Sequence, residues 1–314
     1  MQTVKLGSSS LVSSRLAYGC WRSAGTWNPS EVAAEGEAAG VRGIIAAYEA
    51  GYTLFDNADI YCRGVCEQIL GRALREVAGM RERVLVATKC GIRLAGEPQP
   101  EAPKRYDFSG QYIVRACEGS LRRLGIETID LYMLHRPDYL ADPHEIAGAF
   151  VQLYDAGKVR CFGVSNFRPS LVSALQAACP LPLVVNQVEI SLARLNCFTD
   201  GTLDQCLEKG ITPQAWSPLG GGLLADGTNQ RSLTPVPPHA EGLVAALDSV
   251  AGKYGVSRSV IALAWLLKHP SRIMPIIGST NPQRIQEVVA ADRLELSREE
   301  WYQLLIAARG TELP

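Results

Sequence analysis

The chain has 314 residues, 47% of them hydrophobic and 20% charged. This is a globular composition rather than a disordered or fibrous one, and a chain this long buries roughly three quarters of its unfolded surface. With 31 basic and 32 acidic residues the formal charge is −1, without the basic footprint of a nucleic-acid or membrane-surface binder.

Met1–Ser10 carries one Lys and no apolar stretch of the signal-peptide kind. VKLG followed by SSLVSS reads as a short hairpin. Short apolar, β-branched runs then begin near Leu16 (LAYGC), Thr53 (TLFDNA), Arg83 (RVLVATK), Ile129 (IDLYMLH), Val159 (VRCFGVS), Leu183 (LVVNQVE), Ile211 (ITPQAWS) and Ile273 (IMPIIGS). Between them lie stretches whose apolar positions recur three and four apart, the helix period, such as Cys66–Val77, Tyr112–Leu124, Glu145–Tyr154 and Leu243–Tyr254. Gly51, Gly125, Gly157, Gly210 and Gly255 fall where a helix-ending glycine belongs. After Ser297 a last helix, SREEWYQLLIAAR, opens with a capping-box pattern from Ser297 to Glu300.

Repeated strand–helix units predict an α/β fold, a (β/α)8 TIM barrel spanning residues 1–314 as a single domain, plugged by the N-terminal hairpin and closed by the C-terminal helix. A doubly wound open sheet is the rival, but no G-x-G-x-x-G follows a predicted strand. Two connections run long. Gly91–Gly110 carries Pro98, Pro100 and Pro103, and Leu219–His239 carries Gly220, Gly221, Gly222 and three prolines. Long loops after barrel strands overhang the catalytic mouth, so both are candidate lids or substrate walls.

No run of about 18 apolar residues is present, so no membrane-spanning helix is expected. Cysteines number 9, scattered and odd, which favours reduced thiols and a cytoplasmic address. The close pair Cys62 and Cys66 lacks the second pair that a zinc site needs, so no metal is expected.

Polar side chains at strand ends are the first candidates for chemistry. The second run ends in FDNADIY, giving Asp56 and Tyr61; the third ends in ATKCG, giving Lys89; the fourth ends in LHRPD, giving His135. Neighbouring strands let these groups converge. A phenol titrating near 10 is a weak acid by itself; a nearby Lys⁺ pulls its pKa down, and a buried Asp keeps that Lys charged and in place. His135 can orient a carbonyl. Each residue also has a structural reading: an Asp56–Lys89 salt bridge, a surface Tyr61, a core His135.

FDNADIY, IDLYMLHRPD, GKVRCFGVSNF and NQVEIS, in this order, resemble the aldo-keto reductase family over essentially the whole chain, and LHRPD with AWSPLGGG resembles its bacterial oxidoreductase branch. The resemblance implies Asp56, Tyr61, Lys89 and His135 as the catalytic set and a nicotinamide cofactor, NADPH, across the mouth. It implies that Ser165, Asn166 and Gln187 hold the carboxamide and that Trp216 stacks on the nicotinamide ring. Gly19, Trp21, Ser217, Leu219, Gly220 and Gly221 would also line the cofactor site, the loop glycines allowing close approach to the pyrophosphate. Gly278, Ser279, Thr280, Asn281, Arg284 and Glu287 would clasp the adenosine end. Trp21, Trp27, Tyr106 and Arg136 are candidate walls for a small carbonyl substrate. Departures are Cys62 where many relatives have Gly after the tyrosine, Gly278 where many have Lys, and the absence of a long C-terminal substrate loop.

The expected activity is NADPH-dependent reduction of aldehydes or ketones. An NAD(P)-dependent sugar or alcohol dehydrogenase, and a cofactor-binding sensor or ancillary subunit with little turnover, are the alternatives. A metal-dependent hydrolase is disfavoured by the lack of a His-x-His or Cys/His ligand cluster. No nucleic-acid or membrane partner is expected, and the oligomeric state is open.

Overall fold

The computed structural model describes residues 1–226 and 238–314. Eight strands form a closed barrel: β1 (Ala17–Gly19), β2 (Leu54–Asp56), β3 (Leu85–Cys90), β4 (Ile129–Leu134), β5 (Val159–Ser165), β6 (Leu183–Glu189), β7 (Thr212–Trp216) and β8 (Met274–Ile277). Each of the eight apolar runs supplies one strand. All neighbours are parallel, in chain order, and β8 closes on β1 through Ile276 opposite Ala17 and Ile277 opposite Tyr18.

Among the described residues ten α-helices accompany the strands: α1 (Ala34–Glu49), α2 (Val65–Glu76), α3 (Gly110–Leu124), α4 (Pro143–Asp155), α5 (Pro169–Ala178), α6 (Thr202–Lys209), α7 (Ala240–Tyr254), α8 (Arg258–Leu267), α9 (Pro282–Glu287) and α10 (Arg298–Arg309). Gly125, Gly210 and Gly255 end α3, α6 and α7 in the left-handed conformation, and the Ser297–Glu300 capping box opens α10. In the Gly91–Gly110 connection, Ile92–Arg93 pairs with Arg105–Tyr106. Of the connection 219–239, residues 227–237 lie outside the described residues.

Successive strand residues face opposite sides, which sorts the core into two layers. Val86, Tyr132 and Phe162 pack outward against the helices, while Leu54, Ala87, Leu131, Met133, Val185 and Met274 fill the barrel. The floor is closed by the predicted hairpin, Thr3–Lys5 against Val12–Ser14, whose buried Leu6 and Leu11 join the inner layer. Its turn needs glycine: at Gly7 φ is +52°, and a Cβ there would lie 2.5 Å from the Val184 carbonyl oxygen. Burying a leucine contributes about 1.5–3 kcal/mol, so the plug stabilises as well as seals.

The same period of two carries the inner row upward to the mouth. Leu54 leads to Asp56, Ala87 to Lys89, Met133 to His135, and Val185 to Gln187. An apolar floor and a polar mouth are thus successive positions on one inner face.

Candidate active site at the barrel mouth

Lys89 and Asp56 are both buried, and the Lys89 ammonium donates to both Asp56 carboxylate oxygens at 2.8 Å. It also donates to the Asn57 carbonyl at 2.7 Å and to the Tyr61 hydroxyl at 3.3 Å. Asp56 takes a further bond from Gln187 Nε2 at 2.9 Å. A buried ion pair is tolerable only with its remaining donors and acceptors met, and these contacts meet them. Lys89 has donors only, so Tyr61 can accept from it but cannot give it a hydrogen bond. The phenolic proton is left to point elsewhere.

Tyr61 reaches this position through a strained turn. Cys62 and Arg63 have φ of 45° and 49°, and Gly64 follows at 91°. Left-handed non-glycine residues cost of order 1 kcal/mol each, and such strain collects at sites the surrounding structure over-determines. Two backbone bonds hold the segment before the turn to β3: Asn57 N–H to the Ala87 carbonyl at 2.8 Å and Asp59 N–H to the Lys89 carbonyl at 3.0 Å.

Burial raises the Tyr61 pKa above its ordinary value; Lys89 pulls it down, and Asp56 pushes it further up. The expectation of a lowered phenol pKa is corrected accordingly: the pull of Lys89 is present, but desolvation outweighs it, and the phenol keeps its proton. Burial also works against the Lys89 charge, yet Asp56 and Tyr61 hold its pKa above the usual value. Burial, then Lys89 and Arg136, keep His135 well below the usual imidazole range, so it is neutral. Its ring meets the Tyr61 ring edge-on at 5.7 Å, and its buried Nδ1 has no hydrogen-bond partner among the described residues.

Across the mouth, Asn166 (φ 62°) donates to Ser165 Oγ at 2.8 Å and to the His135 carbonyl at 3.2 Å, and accepts from Trp216 Nε1 at 3.0 Å. Gln187 Nε2 also bonds Gln214 Oε1 at 3.0 Å, and Ser165 Oγ donates to the Gln187 carbonyl at 2.8 Å. One hydrogen-bond network therefore joins Ser165, Asn166, Gln187 and Trp216. The Arg136 guanidinium lies 5.3 Å from the Trp216 ring centre. Trp21 packs on Trp27 at 5.4 Å, and Trp27, 55% exposed, packs on Tyr61 at 6.2 Å.

The predicted glycines and the adenosine-end candidates line the ends of β1, β7 and β8. Gly220 and Gly221 adopt φ of 56° and 67°, Ser217 adopts 50°, and Leu219 precedes them half-buried. A Cβ at Gly19 would come 2.9 Å from the Ile276 side chain. One at Gly278 would come 3.1 Å from Trp21 Nε1. Tyr18 donates to the Ser279 carbonyl at 3.0 Å, Asn281 caps α9 through the Arg284 N–H, and Thr280, Arg284 and Glu287 are exposed. Tyr106 is half-buried in the short hairpin of the third loop, where its strand partner is Ile92.

Sequence reasoning overlooked Asn57, whose backbone carbonyl anchors Lys89, and Gln214, which braces Gln187. A backbone acceptor leaves no side-chain signal. Gln214 was legible only as a polar residue on an inward face of a buried strand.

The model of the Aldo/keto reductase family matches residues 15–308. Over 316 residues the chain is 40% identical to a 6-dehydroglucose reductase of Novosphingobium aromaticivorans, covering 99% of this chain and 96% of that protein. It is 39% identical to a 6-dehydroglucose reductase of Agrobacterium fabrum, with 100% of both covered. Among solved structures, the glycerol dehydrogenase of Gluconobacter oxydans superimposes with a TM-score of 0.85 at 28% identity, covering 99% of this chain and 97% of that one.

Proposed function

Because this chain belongs to the Aldo/keto reductase family, we propose that it reduces an aldehyde or ketone with NADPH and that Tyr61 gives the proton. The observation that carries this reading is the Tyr61 hydroxyl, 3.3 Å from a buried Lys89 ammonium that Asp56 holds at 2.8 Å. The cofactor, when bound, supplies the hydride that the carbonyl carbon receives. The protein does the rest. Neutral His135 positions the carbonyl oxygen, and Tyr61 donates its proton to that oxygen as negative charge grows there. Lys89 stabilises the phenolate left behind, and Asp56 keeps Lys89 charged.

The mouth suits a nicotinamide. With the N–H groups of Asn166 and Gln187 already committed, their amide oxygens remain to accept from a carboxamide NH2, Ser165 braces them, and the Trp216 indole, anchored by Asn166, suits a flat heteroaromatic ring. The absence of side chains at Gly19, Gly220, Gly221 and Gly278 lets a ligand approach the backbone closely, with Trp21 beside Gly278. NADPH is favoured over NADH because no acidic residue stands between Gly278 and Arg284 to hold a free ribose hydroxyl pair, while Ser279 and Arg284 suit a phosphate.

The names of the two sequence relatives point to an oxidised sugar as the first substrate to try. The glycerol dehydrogenase neighbour supports a second reading, in which the same residues run backwards on a sugar or alcohol with NAD(P). The test is a panel of aldehydes, ketones and oxidised sugars followed by NADPH consumption, repeated with Tyr61→Phe. The variant should lose about 10²–10⁴ in kcat with cofactor affinity unchanged. A loss below about threefold would remove Tyr61 from the proton-transfer step.

A further inference from the structure

We propose that Asp59 is a positioning residue for Tyr61, a carboxyl that ties the catalytic turn to α3 and the third loop through Tyr112. The inference rests on the role given to Tyr61 above. Asp59 stands two residues before Tyr61, and its N–H bonds the carbonyl of Lys89, whose ammonium contacts the Tyr61 hydroxyl. Both residues are therefore keyed to Lys89. The Asp59 side chain leaves the mouth and enters the layer between barrel and helices. There Oδ1 is buried without a hydrogen-bond partner among the described residues, Oδ2 accepts from the Tyr112 hydroxyl at 3.3 Å, and the neighbouring Ile60 backbone adds a weaker hydrogen-bonding influence on the carboxyl.

Among the described residues no ion pair to Asp59 forms, and the cation acting on it, Arg123, is engaged elsewhere. From α2, Glu67 faces Asp59, and the Arg123 guanidinium of α3 is bound to Glu67 at 2.6 Å. Thr88 also donates to Glu67, at 2.6 Å. Arg93 lies over the Tyr112 ring at 4.8 Å but pairs with Asp107 at 3.1 Å, and Arg115 lies over the same ring at 5.7 Å. From β3 and β4 the neighbours are the un-ionised Cys90 thiol and Tyr132 phenol, both pushed well up by burial. An ionised carboxylate here would be desolvated and, with Arg123 engaged by Glu67, without a cation of its own.

Burial, reinforced by Glu67 and opposed by Arg123, accordingly raises the Asp59 pKa to about 8. The sign follows. The acid stays protonated in the folded chain while its unfolded counterpart ionises above about pH 4, so its contribution is complete below about pH 4, declines between the two values and is fully lost above about pH 8. Ionisation puts an unpaired charge behind the turn that carries Tyr61. Tyr112, gripped by Arg93 from the third loop, passes the displacement to the wall that holds Tyr106.

The experiment measures kcat, KM and thermal unfolding from about pH 6 to 10 for wild type, Asp59→Asn and Asp59→Ala, with Tyr61→Phe as control. In the wild type kcat should fall as pH passes about 8, with KM for the cofactor little changed. Asp59→Asn, uncharged and of the same shape, should keep neutral-pH kcat within about threefold and lose that alkaline limb, while Asp59→Ala should lose about tenfold at neutral pH. The thermal unfolding midpoint, whose measurement needs no substrate, should fall for wild type relative to Asp59→Asn from about pH 6 to about 8 and run parallel to it above that. Superimposable pH profiles for these two, in both kcat and unfolding, would overturn the inference. So would wild-type turnover in Asp59→Ala. Persistent turnover in Tyr61→Phe would instead strike the proposed function.

Discussion

Each end of the barrel buries a carboxylate against cations, and the two networks end differently. At the floor, Asp130 near the start of β4 takes the Val86 N–H at 2.9 Å, Arg81 at 3.0 Å and Arg160 at 2.7 Å. Arg81 spends its other donors on the Thr128 and Val84 carbonyls at 2.8 and 3.1 Å. The network closes on itself. At the mouth Asp56 is as deeply buried and as tightly held, but its network ends on the Tyr61 hydroxyl, which keeps a proton to give. Backbone strain follows the same division. Of five described non-glycine residues with positive φ, Cys62, Arg63, Asn166 and Ser217 follow strands at the mouth, and Arg272 alone precedes one at the floor. A closed polar network stabilises; one that ends on a free phenolic proton beside strained backbone is the one suited to the chemistry proposed above.

The contrast can be broken most sharply at Lys89. Lys89→Met should cut kcat by about 10²–10⁴, because the phenolate loses its counter-charge. Steady-state kinetics at saturating cofactor check this, and activity near that of wild type would make the mouth pair as structural as the floor pair. Asp130→Ala should do the reverse. It strands the Val86 N–H and two guanidiniums that are 28% and 48% exposed, and this partial exposure softens the loss. The expected destabilisation is about 2–3 kcal/mol in urea unfolding, with kcat per folded molecule unchanged.

An exposed mouth cation should act differently again. A hydrogen bond to a charged group is worth about 1.5–3 kcal/mol, so Arg284→Ala should weaken NADPH roughly ten- to a hundredfold and leave NADH nearly untouched. Cofactor titrations decide, and equal losses for both cofactors would place Arg284 outside the phosphate contact. The smallest effect concerns His135, whose folded pKa is depressed. Below about pH 6.5 the unfolded chain takes a proton that the folded chain refuses, so stability should fall by about 1.4 kcal/mol per pH unit there. His135→Gln should flatten that slope; an unchanged acid limb would show that His135 charges freely in the folded state.

Eight apolar runs of strand length alternating with helical periods determined the barrel from sequence alone, because strands covered on both faces must be apolar almost throughout. The strand-end motifs likewise marked Asp56, Lys89 and His135, since a period of two assigns each an inward face once the strand is placed. Tyr61 was legible as a motif residue, but its position was not: two left-handed residues without glycine bring it back to Lys89, and no local propensity announces them. The net direction of its pKa was likewise beyond the sequence, which shows the partner Lys89 but not the desolvation that outweighs it. Asp59 lay inside the same motif and carried no separate signal. Its neutrality depends on Arg123 already belonging to Glu67 and Arg93 to Asp107, pairings between residues far apart in the chain. Periodicity along a chain records which way a side chain faces; whether a buried charge has a partner to spare is decided only when the helices close around the barrel.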